Sequence, residues 1–181
     1  MKLDYLDLSR TISHALRHEP WIYELEIDDS GWVSIESLLD SLRPLKPQWS
    51  NLSMEDMQKT IARSDKKRHE LSDGKIRALY GHTIPGKLKK DPRQPPNILF
   101  HGTSPESAKL ISQEGLKPMT RQYVHLGTNI KEAMRVGKRK SQEPVILTIK
   151  AGDAFLEGVK FYVGNEKIWL SDFVPPIYVD S

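Results

Sequence analysis

The chain has 181 residues, 38% hydrophobic and 28% charged, which suits an ordinary globular protein with one real core or two small lobes of about 80 to 100 residues each. It has no cysteine, which excludes a disulfide framework, a thiolate nucleophile and a cysteine-bound zinc. The formal charge is +3, but residues 63–93 hold ten Lys/Arg against four Asp/Glu, a local +6 that leaves −3 for the remainder. Such a patch attracts phosphate backbones, and its plainer reading is a solvated surface stretch. The opening Met1-Lys2-Leu3-Asp4-Tyr5 lacks a signal peptide's apolar stretch and no run reaches membrane-spanning length, so a cytoplasmic protein without membrane contact is expected.

In chain order, Tyr5, Leu8, Ile12, Ala15 and Leu16 recur at helical spacing and predict a helix over 5–18, with Arg10, His14 and Arg17 opposite. Pro20 ends it, so Arg17 and His18 sit in a last turn where the helix dipole favours positive charge whatever its use. Gly31-Trp32-Val33 reads as extended, and Ser34 caps a helix through Ile35, Leu38, Leu39 and Leu42 that Pro44 stops. Ser53 and Asp56 form a capping box for another helix, with Met54, Met57 and Ile61 as its buried stripe. His69-Glu70-Leu71 and Ile76 to Tyr80, joined by Ser72-Asp73-Gly74-Lys75, predict a β-hairpin with Ile76, Ala78 and Tyr80 on one face and Arg77 on the other. Three helices and a basic hairpin match a winged-helix outline over residues 1–84.

Residues 85–97, rich in proline and lysine, predict a linker. The second lobe, 98–181, opens with a strand ending in His101-Gly102-Thr103, followed by a helix with Ser104 as cap, Pro105 at its first position and Gly115 at its close. Strands are predicted at 123–126, 145–149, 161–163, 168–170 and 177–179, and a helix over 128–137, which makes this lobe α+β.

His-Gly-Thr at a strand end offers an imidazole, a backbone that a planar ligand or phosphate can approach, and a hydroxyl. His101 equally suits a hydrogen-bonded interior histidine; His125, again among apolar neighbours, repeats the pattern. Neither has metal-ligand spacing, so no metal site is expected. Rossmann, P-loop and serine-hydrolase signatures are absent.

Leu16-Arg17-His18, Lys66-Lys67-Arg68, Ile76-Arg77-Ala78 with Gly81-His82, Phe100-His101-Gly102-Thr103, Arg121 to Leu126, Val136-Gly137-Lys138-Arg139, and Trp169-Leu170 before Val174-Pro175-Pro176 occur in this order along nearly the whole chain. The ordered set resembles the NAD-dependent RNA 2'-phosphotransferases, enzymes that in fungi remove the splice-junction 2'-phosphate from transfer RNA. Gly127, Ser171 and Lys140-Ser141 stand where relatives more often have Ser, Thr and His-Gly.

The resemblance implies a winged-helix RNA lobe joined to a lobe of the ADP-ribosyltransferase fold, acting on RNA with a 2'-phosphate and consuming NAD, with a monomer sufficient. It implies a catalytic set of Arg17, His18, Arg77 and Arg121, and NAD contacts from His101, Gly102 and Thr103, helped by His125 and Arg139. The RNA phosphate would attack the anomeric carbon of NAD and expel nicotinamide. A ribose hydroxyl would then attack phosphorus and release ADP-ribose 1'',2''-cyclic phosphate. The alternative is an ADP-ribosyltransferase that leaves its product on a nucleic-acid phosphate. The residues of both lobes would be needed for turnover.

Overall fold

In the computed structural model, which describes residues 2–181, the chain divides into two units, Met1–Lys89 and Lys90–Ser181. Met1, where the expected first lobe begins, lies outside the described residues. Among those described, six α-helices and two antiparallel sheets make a mixed α/β protein, and no helix is long and apolar enough to cross a membrane.

Local capping sets the helices of the first unit. Asp4 accepts the amides of Leu6 and Asp7 to start α1 (Tyr5–Arg17), which buries Leu8, Ile12, Ala15 and Leu16. A short 3-10 turn, Pro20–Tyr23, follows. After β1 (Val33–Ser34), the Ser34 hydroxyl accepts the Ser37 amide and opens α2 (Ile35–Leu42). Pro44 does not end the coil outright, because Arg43–Leu45 continues as a 3-10 turn in which proline's missing N–H costs little. The capping box of Ser53 and Asp56 is formed at α3 (Met54–Ala62). Its expected stripe is displaced: Met57 is buried, Met54 at the first helical position is exposed, and Thr60 is buried with its hydroxyl bonded to the Asp56 carbonyl.

The hairpin pairs β2 (His69–Ser72) with β3 (Lys75–Ala78), and β1 completes a sheet in the order β1-β3-β2. Asp73 and Gly74 both have positive φ, the geometry of a two-residue turn that matches strand twist. Because β3 stops at Ala78, the alternation does not reach Tyr80; Leu79 is buried instead. Leu8, Leu16, Leu38, Trp49 and Ile76 join helices and sheet in one core.

The proline-rich stretch is tied down on each side. Leu88 is buried and the Lys89 amide donates to the Asp29 carbonyl, while the Arg93 amide donates to that of Phe161.

In the second unit, β4 (Leu99–Thr103) leads into α4 (Pro105–Glu114), capped by Ser104 and closed by Gly115 at φ +84°. Then come β5 (Val124–Gly127), α5 (Ile130–Gly137), β6 (Val145–Ile149), α6 (Ala151–Leu156), β7 (Phe161–Val163), β8 (Ile168–Ser171) and β9 (Val179–Asp180), giving the sheet β7-β8-β5-β4-β6-β9. The final strand is shorter than expected, since Pro176–Tyr178, opening on a proline, forms a 3-10 turn. The six-residue α6 carries too little periodicity to announce itself. One feature of the sheet positions the candidate site: β4 pairs with β6 over five residues but with β5 only at Phe100 and Gly127. Beyond that pair the ladder between β4 and β5 stops.

Candidate functional site

In the first unit Arg17 and His18 stand at the C-terminal end of α1, and Arg77 stands on β3. The Thr83 amide donates to the Arg17 carbonyl at 2.9 Å, and the Thr83 hydroxyl lies 2.8 Å from His18 Nδ1, so the strand-to-linker segment fastens both residues. Arg17 stacks on Tyr80, 5.1 Å from the ring centre to its guanidinium carbon, and its Nε and Nη2 are shielded from solvent. Gly81, at φ +86°, faces the same side chain: a Cβ there would touch Arg17 at 3.5 Å.

Beside this end lies His69, which sequence reasoning did not single out. It is buried in the core face of β2, 3.2 Å from the Ser13 hydroxyl. Burial pushes its imidazole down to about 3, and the positive charges of Arg17 and Arg68, then His82, act in the same direction. Arg68 acts on the same imidazole as Arg17, and its own Nη1 donates to the Ser64 hydroxyl at 3.0 Å.

Arg77 points away from the apolar face, as alternation predicts, but into a carboxylate. Its Nε and Nη2 contact one oxygen of Glu70 at 2.8 and 2.7 Å, and its guanidinium carbon sits 4.4 Å from the centre of the Trp32 ring. Glu70 is the residue directly opposite Arg77 in the hairpin register, so the turn residues alone could have revealed the pair.

In the second unit the candidates flank the place where β4 and β5 part. His101 Nδ1 donates to the His125 carbonyl at 2.9 Å, which fixes the neutral tautomer with Nε2 as an acceptor. Burial lowers His101 to about 4; the bond to the carbonyl opposes the shift and Lys140 adds to it. Arg121 Nη1 donates to His125 Nδ1 at 2.6 Å, so His125 is neutral in this arrangement as well. Lys140 has a lowered pKa, from crowding of its ammonium and then from Arg121, although the residue as a whole is exposed. His101, Arg121, His125 and Lys140 therefore form one basic group. Of these, Lys140 stood out in the sequence only as a departure from the His-Gly more common in relatives, and not as a site residue.

Three expected residues stand differently. Gly102 corrects the reason offered for it: a Cβ there would lie 1.8 Å from the Ala133 carbonyl oxygen and 3.0 Å from the Gly137 nitrogen, so the close approach is made by α5. Thr103 is buried at the end of β4, and Arg139 is exposed on the turn after α5. Among the described residues, no group of three or more His, Asp or Glu side chains is placed to hold a metal ion.

Comparison with known proteins shows the family of the chain. Residues 4–173 match the family described as RNA 2'-phosphotransferase, Tpt1 / KptA family. A probable RNA 2'-phosphotransferase of Bacillus thuringiensis is 51% identical over 175 residues, covering 97% of this chain and 94% of the relative. One from Acetivibrio thermocellus is 48% identical, covering 98% and 97%, and one from the archaeon Pyrococcus horikoshii is 37% identical, covering 93% of each.

Proposed function

The chain belongs to the RNA 2'-phosphotransferase, Tpt1 / KptA family, and from that premise we propose that it removes an internal 2'-phosphate from RNA by transferring it to NAD. We read the first unit as a winged-helix RNA-binding lobe and the second as an ADP-ribosyltransferase-like lobe that binds NAD, in a monomeric cytoplasmic enzyme.

The observation that carries the NAD assignment is the basic group at the parting of β4 and β5. Lys140 offers charge to an anionic dinucleotide, His101 Nε2 offers an acceptor to a ribose hydroxyl, and Arg121 beside them is left for the transferred phosphate. Gly102 contributes through its backbone, and Thr103, His125 and Arg139 complete the NAD contacts.

The nucleophile needs no general base. A phosphomonoester has its second pKa at about 6, so the RNA 2'-phosphate is largely dianionic at neutral pH. Its oxygen forms a bond to the anomeric carbon of NAD as the bond to nicotinamide breaks. The neighbouring ribose 2''-hydroxyl then attacks phosphorus, the RNA 2'-oxygen leaves and takes a proton, and ADP-ribose 1'',2''-cyclic phosphate is released. Arg17, Arg77 and Arg121 hold the phosphate and stabilise charge on it; His18, oriented by Thr83, donates the hydrogen bond or proton.

Glu70 complicates the role of Arg77, since a phosphate must share that guanidinium with a carboxylate. Arg68, whose charge acts on His69 as that of Arg17 does, is the other claimant. Single alanine variants separate them: the phosphate ligand loses turnover by about 100-fold or more, and the other changes it by less than about tenfold.

Incubation with NAD and an RNA carrying one internal 2'-phosphate tests the reaction. Mass spectrometry should find nicotinamide, RNA with a free 2'-hydroxyl and the cyclic phosphate. A stable ADP-ribosylated RNA without cyclic phosphate would establish the alternative, an enzyme that leaves ADP-ribose on the nucleic-acid phosphate.

A further inference from the structure

The first unit carries a cleft of about 320 Å³ that the reaction above does not use. Its walls include Trp21, Ile27, Ile84, Pro85 and Leu88, with Lys87 on its lining. Trp21 is 56% exposed and offers the cleft a broad aromatic face. Two acidic residues also line the cleft, and both are engaged: Asp28 accepts the amides of Ser30 and Trp32 at 2.9 Å, and Asp29 faces Lys89 at 3.4 Å.

The cleft adjoins the phosphate-binding end of α1 through the chain itself. Pro20 and Trp21 lie two and three residues after His18, beyond Glu19, and Ile84 and Pro85 follow Thr83, whose amide and hydroxyl fasten Arg17 and His18. The two ends of the cleft's lining are thus continuous in the chain with the residues assigned to the phosphate. An aromatic face, aliphatic walls and a lysine suit a planar base attached to a charged backbone. A paired base has both faces covered by its neighbours, so only an unpaired one fits this description.

We propose that the cleft receives the unpaired base of a nucleotide adjoining the 2'-phosphorylated one, stacked on Trp21, so that Trp21 selects RNA whose 2'-phosphate lies in a single-stranded stretch. This rests on the RNA 2'-phosphotransferase reading. The test measures binding without turnover, by fluorescence anisotropy of a labelled hexaribonucleotide with one internal 2'-phosphate, beside the same hexamer made abasic on the 5' or the 3' side of that phosphate. Trp21→Ala should weaken binding about tenfold, Trp21→Phe should keep most of the affinity, and one abasic hexamer should bind the wild type about tenfold more weakly. That same abasic site should cost Trp21→Ala nothing further. Equal affinities of wild type and Trp21→Ala, equal abasic penalties in both, or no binding by the wild type would each overturn the proposal. Failure of the parent reading is separate: it would appear as no nicotinamide release by wild type whose RNA binding is intact.

Discussion

The two units hold their candidate arginines in opposite ways. Arg77 lies against Glu70, a charge partner 2.7 Å away, whereas Arg121 leans on the neutral imidazole of His125 and has Lys140 beside it. A carboxylate already neutralises the first guanidinium, whereas the second donates to an imidazole and acts on Lys140 strongly enough to lower its pKa. A catalytic arginine is therefore judged better by what it already touches than by its place in a motif.

The largest expected effect follows from that difference. Arg121→Ala should lower turnover by about 100- to 1000-fold, the usual cost of removing one charge-stabilising donor, with little change in thermal stability. Steady-state nicotinamide release checks it, and near-normal rates would erase the distinction between the two arginines.

A second expected effect is on acid stability, where the units behave alike because burial lowers one histidine in each. His69 and His101 have folded pKa values depressed to about 3 and about 4, below the 6.5 of an unfolded chain. Between those values the unfolded state binds more protons, so stability is fully present above pH 6.5 and is lost as pH falls toward 4. Thermal melts across that window should show the fall. His69→Phe should flatten it for the first unit alone, and an unchanged slope would mean that His69 is not buried neutral.

The smallest effect is the most direct test of Arg77. Glu70→Gln keeps the shape of the pair and removes its negative charge, so if Arg77 binds the RNA phosphate the KM for RNA should fall a few-fold with kcat nearly unchanged. The stability cost should stay below about 1 kcal/mol, because the pair is partly exposed. An unchanged KM, together with a large loss in Arg68→Ala, would move the phosphate contact to Arg68.

Much of the local architecture was legible beforehand because its causes lie within four residues. Asp73-Gly74 allows a turn that few other pairs adopt, and β6 was predicted over its full observed span. Met54 and Ile177 were misplaced because apolar character alone does not say which turn of a helix, or which residue after two prolines, meets the core. Of the site, the arginines and histidines at the end of α1 and around β5 could be named from the chain, but their partners could not, except Glu70.

Capping, turn type and strand alternation are short-range, so the sequence by itself determined the helices other than α6, the hairpin and the side of β3 from which Arg77 projects. Only the tertiary structure decided that β4 leaves β5 after one pair, that His69 is buried near Arg17 and Arg68, and that Gly102 is required by α5. Those facts depend on groups tens of residues apart meeting in space, and no local period records such a meeting.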